Sequence, residues 1–151
     1  FRRNLRKAAM RGVRVRVILT KISDVKLAKL AERFFYPWLL KRNIEIYEYQ
    51  ETVLHAKVAV YDSSWVTIGS YNVNNISAYA SLELNMDVKN KPFAQIVENE
   101  LEGIITDHCK QITKENYASS THFFRRLWQR ICYTFINNVL NLFTFYFRQE
   151  E

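Results

Sequence analysis

Leu54-His55-Ala56-Lys57-Val58-Ala59-Val60-Tyr61-Asp62, followed after six residues by Gly69-Ser70-Tyr71-Asn72, is the stretch on which the reading of this chain turns. Val53 to Tyr61 and Trp65 to Gly69 are short apolar runs rich in β-branched residues, and Asp62-Ser63-Ser64 separates them, so the pattern predicts a hairpin of two central strands. Side chains on a strand alternate between faces, which puts His55 and Lys57 on one side, able to address one phosphate. A neutral imidazole can attack phosphorus, an ammonium can offset charge on phosphoryl oxygens, and a carboxylate such as Asp62 can orient or tune an imidazole. Gly69 lets the backbone approach closely, and the Ser70 hydroxyl and Asn72 amide can each donate to a phosphoryl oxygen. A lone strand histidine is ordinarily a hydrogen-bonded structural residue. The company of Lys57, Asp62, Ser70 and Asn72 is what makes His55 a catalytic candidate.

Upstream of this stretch, Arg2 to Met10 reads as a helix stopped by Gly12, and Val13 to Leu19 as a strand that alternates before turning continuously apolar. Ser23 or Asp24 is placed to cap a second helix, whose apolar positions Val25, Leu27, Leu30, Phe34 and Trp38 run past a break at Pro37 toward an end at Asn43. Ile44 to Tyr49 reads as a strand alternating, imperfectly, with Glu45 and Glu48. Downstream, Leu82 to Val88 makes another strand. Phe93 to Ile112 keeps apolar residues at helical spacing after Pro92, predicting one long amphipathic helix. The element order is mixed α/β. Three glycines in all leave no glycine-rich phosphate loop.

With 151 residues, 48% of them hydrophobic, the chain can bury one core but not two ordinary ones. A formal net charge of +7 favours anionic partners, phospholipid headgroups or nucleic acid, without choosing between them. The seven Lys and Arg from Arg2 to Arg16 have no acidic residue among them, but a solvated helix face is the commoner meaning of such a run. Tyr71 and Tyr79 are not interleaved with basic residues in any repeated way, so nucleic acid is the weaker candidate partner. Cys109 and Cys132 belong to no ligand spacing and read as reduced, buried thiols. His108 and His122 lack supporting ligands and read as structural or surface residues, so no metal site is expected. The chain opens at Phe1 on a basic helical stretch without a signal-peptide pattern, as if cut from something longer.

Ile131 to Phe147 carries no charge, and Thr134, Asn137, Asn138, Asn141 and Thr144 recur at steps of three or four, one polar stripe on a helix. Its apolar remainder, flanked by Arg125, Arg126, Arg130 and Arg148, predicts a helix in a membrane interface, since a span needs about 20 predominantly apolar residues. The competing expectation is a core or dimer helix. The organisation expected is therefore residues 1–117 as a catalytic half-domain and 118–151 as a basic, aromatic membrane-interface helix.

The combination of His55, Lys57, Asp62, Gly69, Ser70 and Asn72 resembles the HxK(x4)D motif of the phospholipase D superfamily with its downstream Gly-Ser and Asn. From about Arg2 to Val88 the chain is most similar to the C-terminal half of bacterial cardiolipin synthases; Ile46-Tyr47-Glu48-Tyr49-Gln50 and Trp65-Val66-Thr67-Ile68 share in that likeness. Glu83 stands where these enzymes place an acidic residue on the following strand. The chain departs from the family after Asn72, where Asn74, Asn75 and Ile76 precede Ser77 in place of an Asp and a basic pair. The resemblance implies an α-β-α sandwich with a mixed central sheet, present as one half of a pseudo-twofold unit. It also implies a phosphohistidine intermediate, no cofactor, and a second HxK half-domain, upstream in a parent chain or on a homodimer mate. The expected activity is phosphatidyl transfer from an anionic phospholipid to an alcohol at the cytoplasmic face of a bacterial membrane. Two other expectations stay open: a phosphodiesterase or nuclease using water, and a non-catalytic membrane-associated subunit with a vestigial half-site.

Overall fold

A computed structural model describes residues 2–70 and 82–148. Its contacts divide the chain into two units, one of residues up to Leu54 with His108–Asn137, the other of His55–Asp107 with residues from Asn138 onward. That division crosses the 117/118 boundary expected from sequence.

The first unit is built on a mixed three-stranded sheet of order β1-β2-β6, formed by β1 (Arg16–Thr20), β2 (Glu45–Tyr49) and β6 (Cys109–Ile112). β1 and β2 run parallel, Arg16 opposite Glu45 through Thr20 opposite Tyr49, and β6 joins β2 antiparallel with Ile46 opposite Ile112. Helix α1 (Arg2–Met10) precedes β1, and Gly12, at φ 83°, turns the chain out of it as only glycine does without strain. The crossover from β1 to β2 carries α2 (Lys26–Arg33) and α3 (Tyr36–Leu40), with the break at Phe34-Phe35 and Pro37 in the first turn of α3, where its missing N–H costs nothing. Asn43 adopts φ 55° and ends the helical run, as expected. Ser23 and Asp24 do not cap α2. Both accept from the Val25 N–H, and Val25 itself is the capping residue without a side-chain bond.

Tyr36, Leu40, Ile46, Ile112 and Tyr117 form the apolar core, with Val17, Leu19 and Leu39 packed on it. Ile46 and Glu48 both face inward, as a spacing of two requires, so the second glutamate of β2 is buried and is the imperfection in the expected alternation. It is offset there by hydrogen bonding and charge. The Tyr36 hydroxyl donates to Glu48 at 2.8 Å, and Lys29 Nζ and Arg33 Nε lie 3.4 and 3.7 Å from the same carboxylate oxygen. Lys29 also pairs with Glu32 at 2.6 Å. Burial and the two neighbouring carboxylates push the Tyr36 phenol above its ordinary pKa.

The single helix expected over Phe93 to Ile112 is instead helix α4 (Lys91–His108) followed by strand β6. Cys109 to Ile112 satisfy their backbone groups on β2, and the pairing brings Ile112 into the core opposite Ile46. α5 (Lys114–Ser120) follows, started by a reciprocal cap in which Thr113 accepts from the Asn116 N–H and Asn116 accepts from that of Thr113. α6 (Phe123–Arg148) includes the C-terminal helix read from sequence. Gln129 and Cys132 are buried, whereas Phe124, Leu127, Trp128, Ile131 and Phe135 are exposed along another face of the helix. Thr134 and Asn138, of the expected polar stripe, are also exposed. No helix among the described residues is long and apolar enough to cross a membrane.

The second unit holds an antiparallel sheet of order β3-β4-β5, from β3 (Val58–Tyr61), β4 (Trp65–Gly69) and β5 (Asn85–Lys89). The hairpin read from sequence is present, Val58 opposite Ile68 and Tyr61 opposite Trp65. Its turn has Asp62 at φ 49° and Ser63 at φ 48°, and the Ser64 N–H donates to the Tyr61 carbonyl at 3.1 Å, the conformation of a type I′ turn. Val66 and Ala94 are fully buried. Asn90 starts α4, its side chain accepting from the Phe93 N–H at 2.9 Å. The described strands thus form two three-stranded sheets, one in each unit, and the expected α/β class with a mixed sheet and helices is borne out.

Candidate active site

β3 begins at Val58, so His55 and Lys57 lie on the extended approach to it and not within the strand. The ladder nevertheless continues one residue back, because the Gly69 N–H donates to the Lys57 carbonyl at 3.1 Å. That bond fixes Lys57 against the end of β4. Lys57 Nζ meets His55 Nε2, which bears out the shared face expected from the spacing of two. With the ammonium as donor, Nε2 is the acceptor and the ring proton sits on Nδ1. His55 is exposed and Lys57 half-buried, so the pair is held on one side and open on the other.

The same end of the sheet receives the second part of the motif. Gly69 is opposite Asn85 in the register of β4 and β5, and a β-carbon at Gly69 would overlap both the Asn85 side-chain oxygen and the Leu84 carbonyl. Glycine is required there by contact, not by dihedral angle. Immediately after it, the Ser70 N–H donates to the Leu84 carbonyl at 3.0 Å, and the Ser70 hydroxyl donates to Glu83 Oε2 at 2.5 Å while accepting from the Leu84 N–H at 3.0 Å. Ser70 therefore joins the end of β4 to the residues that lead into β5. Glu83, read from sequence as a supporting carboxylate, is engaged by that hydroxyl. Asn72 lies outside the described residues, as do Tyr71 and Tyr79.

Asp62 is placed differently from expectation. It sits in the β3-β4 turn, at the other end of the strand from Lys57, five residues on. At about 3.3 Å per strand residue this is a separation on the order of 15 Å, too far for its carboxylate to orient the His55 ring. The motif spacing that suggests a triad is a spacing along an extended chain. Asp62 instead supplies a residue type that tolerates positive φ at a tight turn. Asn85 was missed by sequence reasoning; cross-strand pairing puts it level with Gly69 and, one strand further, Lys57, and only the register makes that visible.

The remaining titratable candidates are spoken for. His108 Nδ1 is 2.6 Å from Glu51 Oε1, a hydrogen-bond contact in keeping with the structural reading of this residue. Cys109 and Cys132 are both free thiols, half-buried and buried, and burial raises the pKa of Cys109. At the sheet end the Lys57 ammonium can meet an anionic oxygen, beside the exposed His55 imidazole that it contacts and a Ser70 hydroxyl whose proton is held by Glu83.

Comparison with known proteins places the chain in a family. The family described as "Cardiolipin synthase, PLD-like domain" matches residues 1–105. The chain is 39% identical over 117 residues to Cardiolipin synthase B of Salmonella typhi, covering 78% of this chain and 28% of that one. Against Cardiolipin synthase B of Escherichia coli K12 the identity is 37% over 112 residues, covering 74% and 27%. The chain thus spans little more than a quarter of the length of these curated relatives. Among solved structures, the phospholipase D family member Nuc from Salmonella typhimurium superposes with a TM-score of 0.64 at 17% identity, over 75% of this chain and 73% of that one, a likeness of fold. With the family match reaching across the His55, Lys57 and Ser70 site, the chain belongs to the cardiolipin synthase, PLD-like domain family.

Proposed function

We propose that this chain supplies one half-site of a phosphatidyltransferase that moves a phosphatidyl group from an anionic phospholipid to an alcohol, cardiolipin being the expected product. The observation that carries the reading is the His55 and Lys57 contact at the open end of the β3-β4-β5 sheet, beside Gly69 and the Ser70–Glu83 pair. A phosphodiester entering there would take the Lys57 ammonium onto a phosphoryl oxygen and leave the His55 Nε2 lone pair free.

In the reaction proposed, an imidazole nitrogen attacks phosphorus and the bond to the leaving alcohol breaks, while a second imidazolium gives that alcohol its proton. The acceptor hydroxyl then attacks the phosphohistidine, returns its proton to the second imidazole, and the N–P bond breaks. Two histidines on opposite sides of phosphorus are needed; His122 has no lysine two residues on, and His108, though followed by Lys110, is bonded to Glu51 and has Glu115 in place of the motif Asp and no Gly-Ser after it. The second HxK half-domain therefore comes from elsewhere in a parent chain or from a symmetric mate. His55 takes the acid and base role if this is a C-terminal half, and the nucleophile role if the chain pairs with itself. His55, Lys57 and Ser70 are the residues assigned to substrate, with Asn72 as a further donor and Glu83 as support.

The site is proposed to work at the cytoplasmic face of a bacterial membrane, with α6 lying in the interface. Its exposed Phe124, Leu127, Trp128, Ile131 and Phe135, together with exposed Arg125, Arg126 and Arg130 and no acidic residue in the helix, suit an anionic lipid surface. The test is phosphatidyl transfer in phosphatidylglycerol vesicles beside cleavage of DNA, each with wild type and His55→Ala. Transfer lost in the variant supports the reading. DNA cleavage without transfer would replace it by a phosphodiesterase in which water is the acceptor, and neither activity in a demonstrated paired assembly would favour the vestigial subunit.

A further inference from the structure

The first unit contains a groove of about 380 Å³ that the catalytic reading does not use. Phe34 and Phe35 from the break between α2 and α3, Trp38 from α3 and Tyr133 from α6 form its walls. The rings are mutually braced: Phe34 stacks on Tyr133 at 5.0 Å between centroids, and Phe35 meets Tyr133 edge-on at 4.8 Å. Arg2 and Arg126 are among the lining residues, the Arg2 guanidinium lying 4.7 Å from the Phe35 ring centre and 5.2 Å from that of Trp38. No acidic residue lines it among the described residues.

Gln129, also a lining residue, is 1% exposed. Its Oε1 accepts from the Tyr117 hydroxyl at 3.0 Å, but its Nε2 is buried with no hydrogen-bond partner. An amide N–H left that way costs free energy, and it is one of few such atoms among the described residues. An apolar ligand alone would leave it unmet. A ligand carrying a carbonyl oxygen within an otherwise apolar body would meet it.

We propose that this groove binds one acyl chain of an anionic glycerolipid. The chain lies between Phe34, Trp38 and Tyr133, the ester carbonyl accepts from Gln129 Nε2, and the head phosphate is held by Arg2 and Arg126. The volume is at the lower end of small-molecule sites, which suits a single chain. Aromatic walls supply the apolar contact, the orphaned donor selects an ester, and two cations without an opposing carboxylate select the charge. The inference stands apart from the catalytic one, since it uses none of His55, Lys57 or Ser70.

The experiment uses the full chain carrying Trp65→Phe and Trp128→Phe, so that Trp38 is the only indole, titrated with lysophosphatidylglycerol brominated on its acyl chain and kept monomeric. Contact quenching of Trp38 is expected to saturate. Gln129→Leu should weaken it about tenfold or more for this ester while changing the binding of brominated fatty acid much less. Arg126→Gln, at an exposed position, should abolish the preference over brominated lysophosphatidylcholine and carries the test if Gln129→Leu does not fold. Non-saturating quenching overturns the proposal, as does equal affinity for the neutral and anionic lysolipids in the parent protein. Self-association that protects Trp38 with no response to lipid would assign the groove to polypeptide and overturn it as well.

Discussion

The two sheets treat charge in opposite ways. In the β1-β2-β6 unit Glu48 is taken into the core and surrounded by Tyr36, Lys29 and Arg33, so that the carboxylate is met by protein groups. In the β3-β4-β5 unit His55 and Lys57 stand at an open sheet end where, among the described residues, the ammonium meets the His55 imidazole. Buried charge that is fully paired fixes a fold, and paired charge that remains open is available to a substrate. The same chemical groups thus serve stability in one unit and chemistry in the other, and the difference lies in burial.

The largest effect should come from the buried side. Replacing Glu48 by Leu leaves Arg33 without this carboxylate and Lys29 with Glu32 alone, and urea unfolding should show a loss of about 3 kcal/mol, the low end for breaking a buried pair because Lys29 keeps Glu32 and both cations retain some exposure. A loss under 1 kcal/mol would mean the cluster is not what holds β2 in place. At the open end the pattern should invert. His55→Ala and Lys57→Ala should each reduce phosphatidyl transfer by about a hundredfold or more in a paired assembly while shifting stability by no more than about 0.5 kcal/mol. Transfer within tenfold of wild type would remove the pair from the chemistry.

Gly69→Ala sits where the two roles meet. Its β-carbon would displace Asn85 and the Leu84 carbonyl, so unfolding should report about 1–3 kcal/mol of destabilisation together with weakened transfer. Unchanged stability would show that β5 can move away freely. The smallest effect is expected of Asp62→Asn, since asparagine also tolerates the positive φ of the turn. Transfer should stay within about threefold and stability within about 0.5 kcal/mol. A hundredfold loss of transfer would return Asp62 to the site despite its place at the far end of the strand.

What was legible in the sequence follows from how local each signal is. His55 with Lys57, and Gly69 with Ser70, are set by strand periodicity and one backbone approach, and both stand where their spacing put them. The hairpin, the break at Phe34-Phe35 just before Pro37 and the helix end at Asn43 depend equally on short-range chemistry. The misreadings all involve a partner distant in sequence. Cys109 to Ile112 continued a helical apolar pattern and became a strand because β2 was there to pair with. Glu48 broke the apolar pattern of the face it shares with Ile44 and Ile46, and only Lys29, Arg33 and Tyr36, distant in sequence, show how its carboxylate is accommodated there. Asp62 looked near His55 because a motif is written along a line, and the line is an extended strand.

The claim that the open end of the β3-β4-β5 sheet is built for a phosphoryl group is tested most directly by titrating the chain with orthovanadate and following the imidazole resonances of its three histidines by NMR. His55 should shift saturably while His108, held by Glu51, and His122 stay in place, and Lys57→Ala should weaken the response about tenfold or more. A His55 ring that does not respond, or that responds equally well without Lys57, would contradict the account.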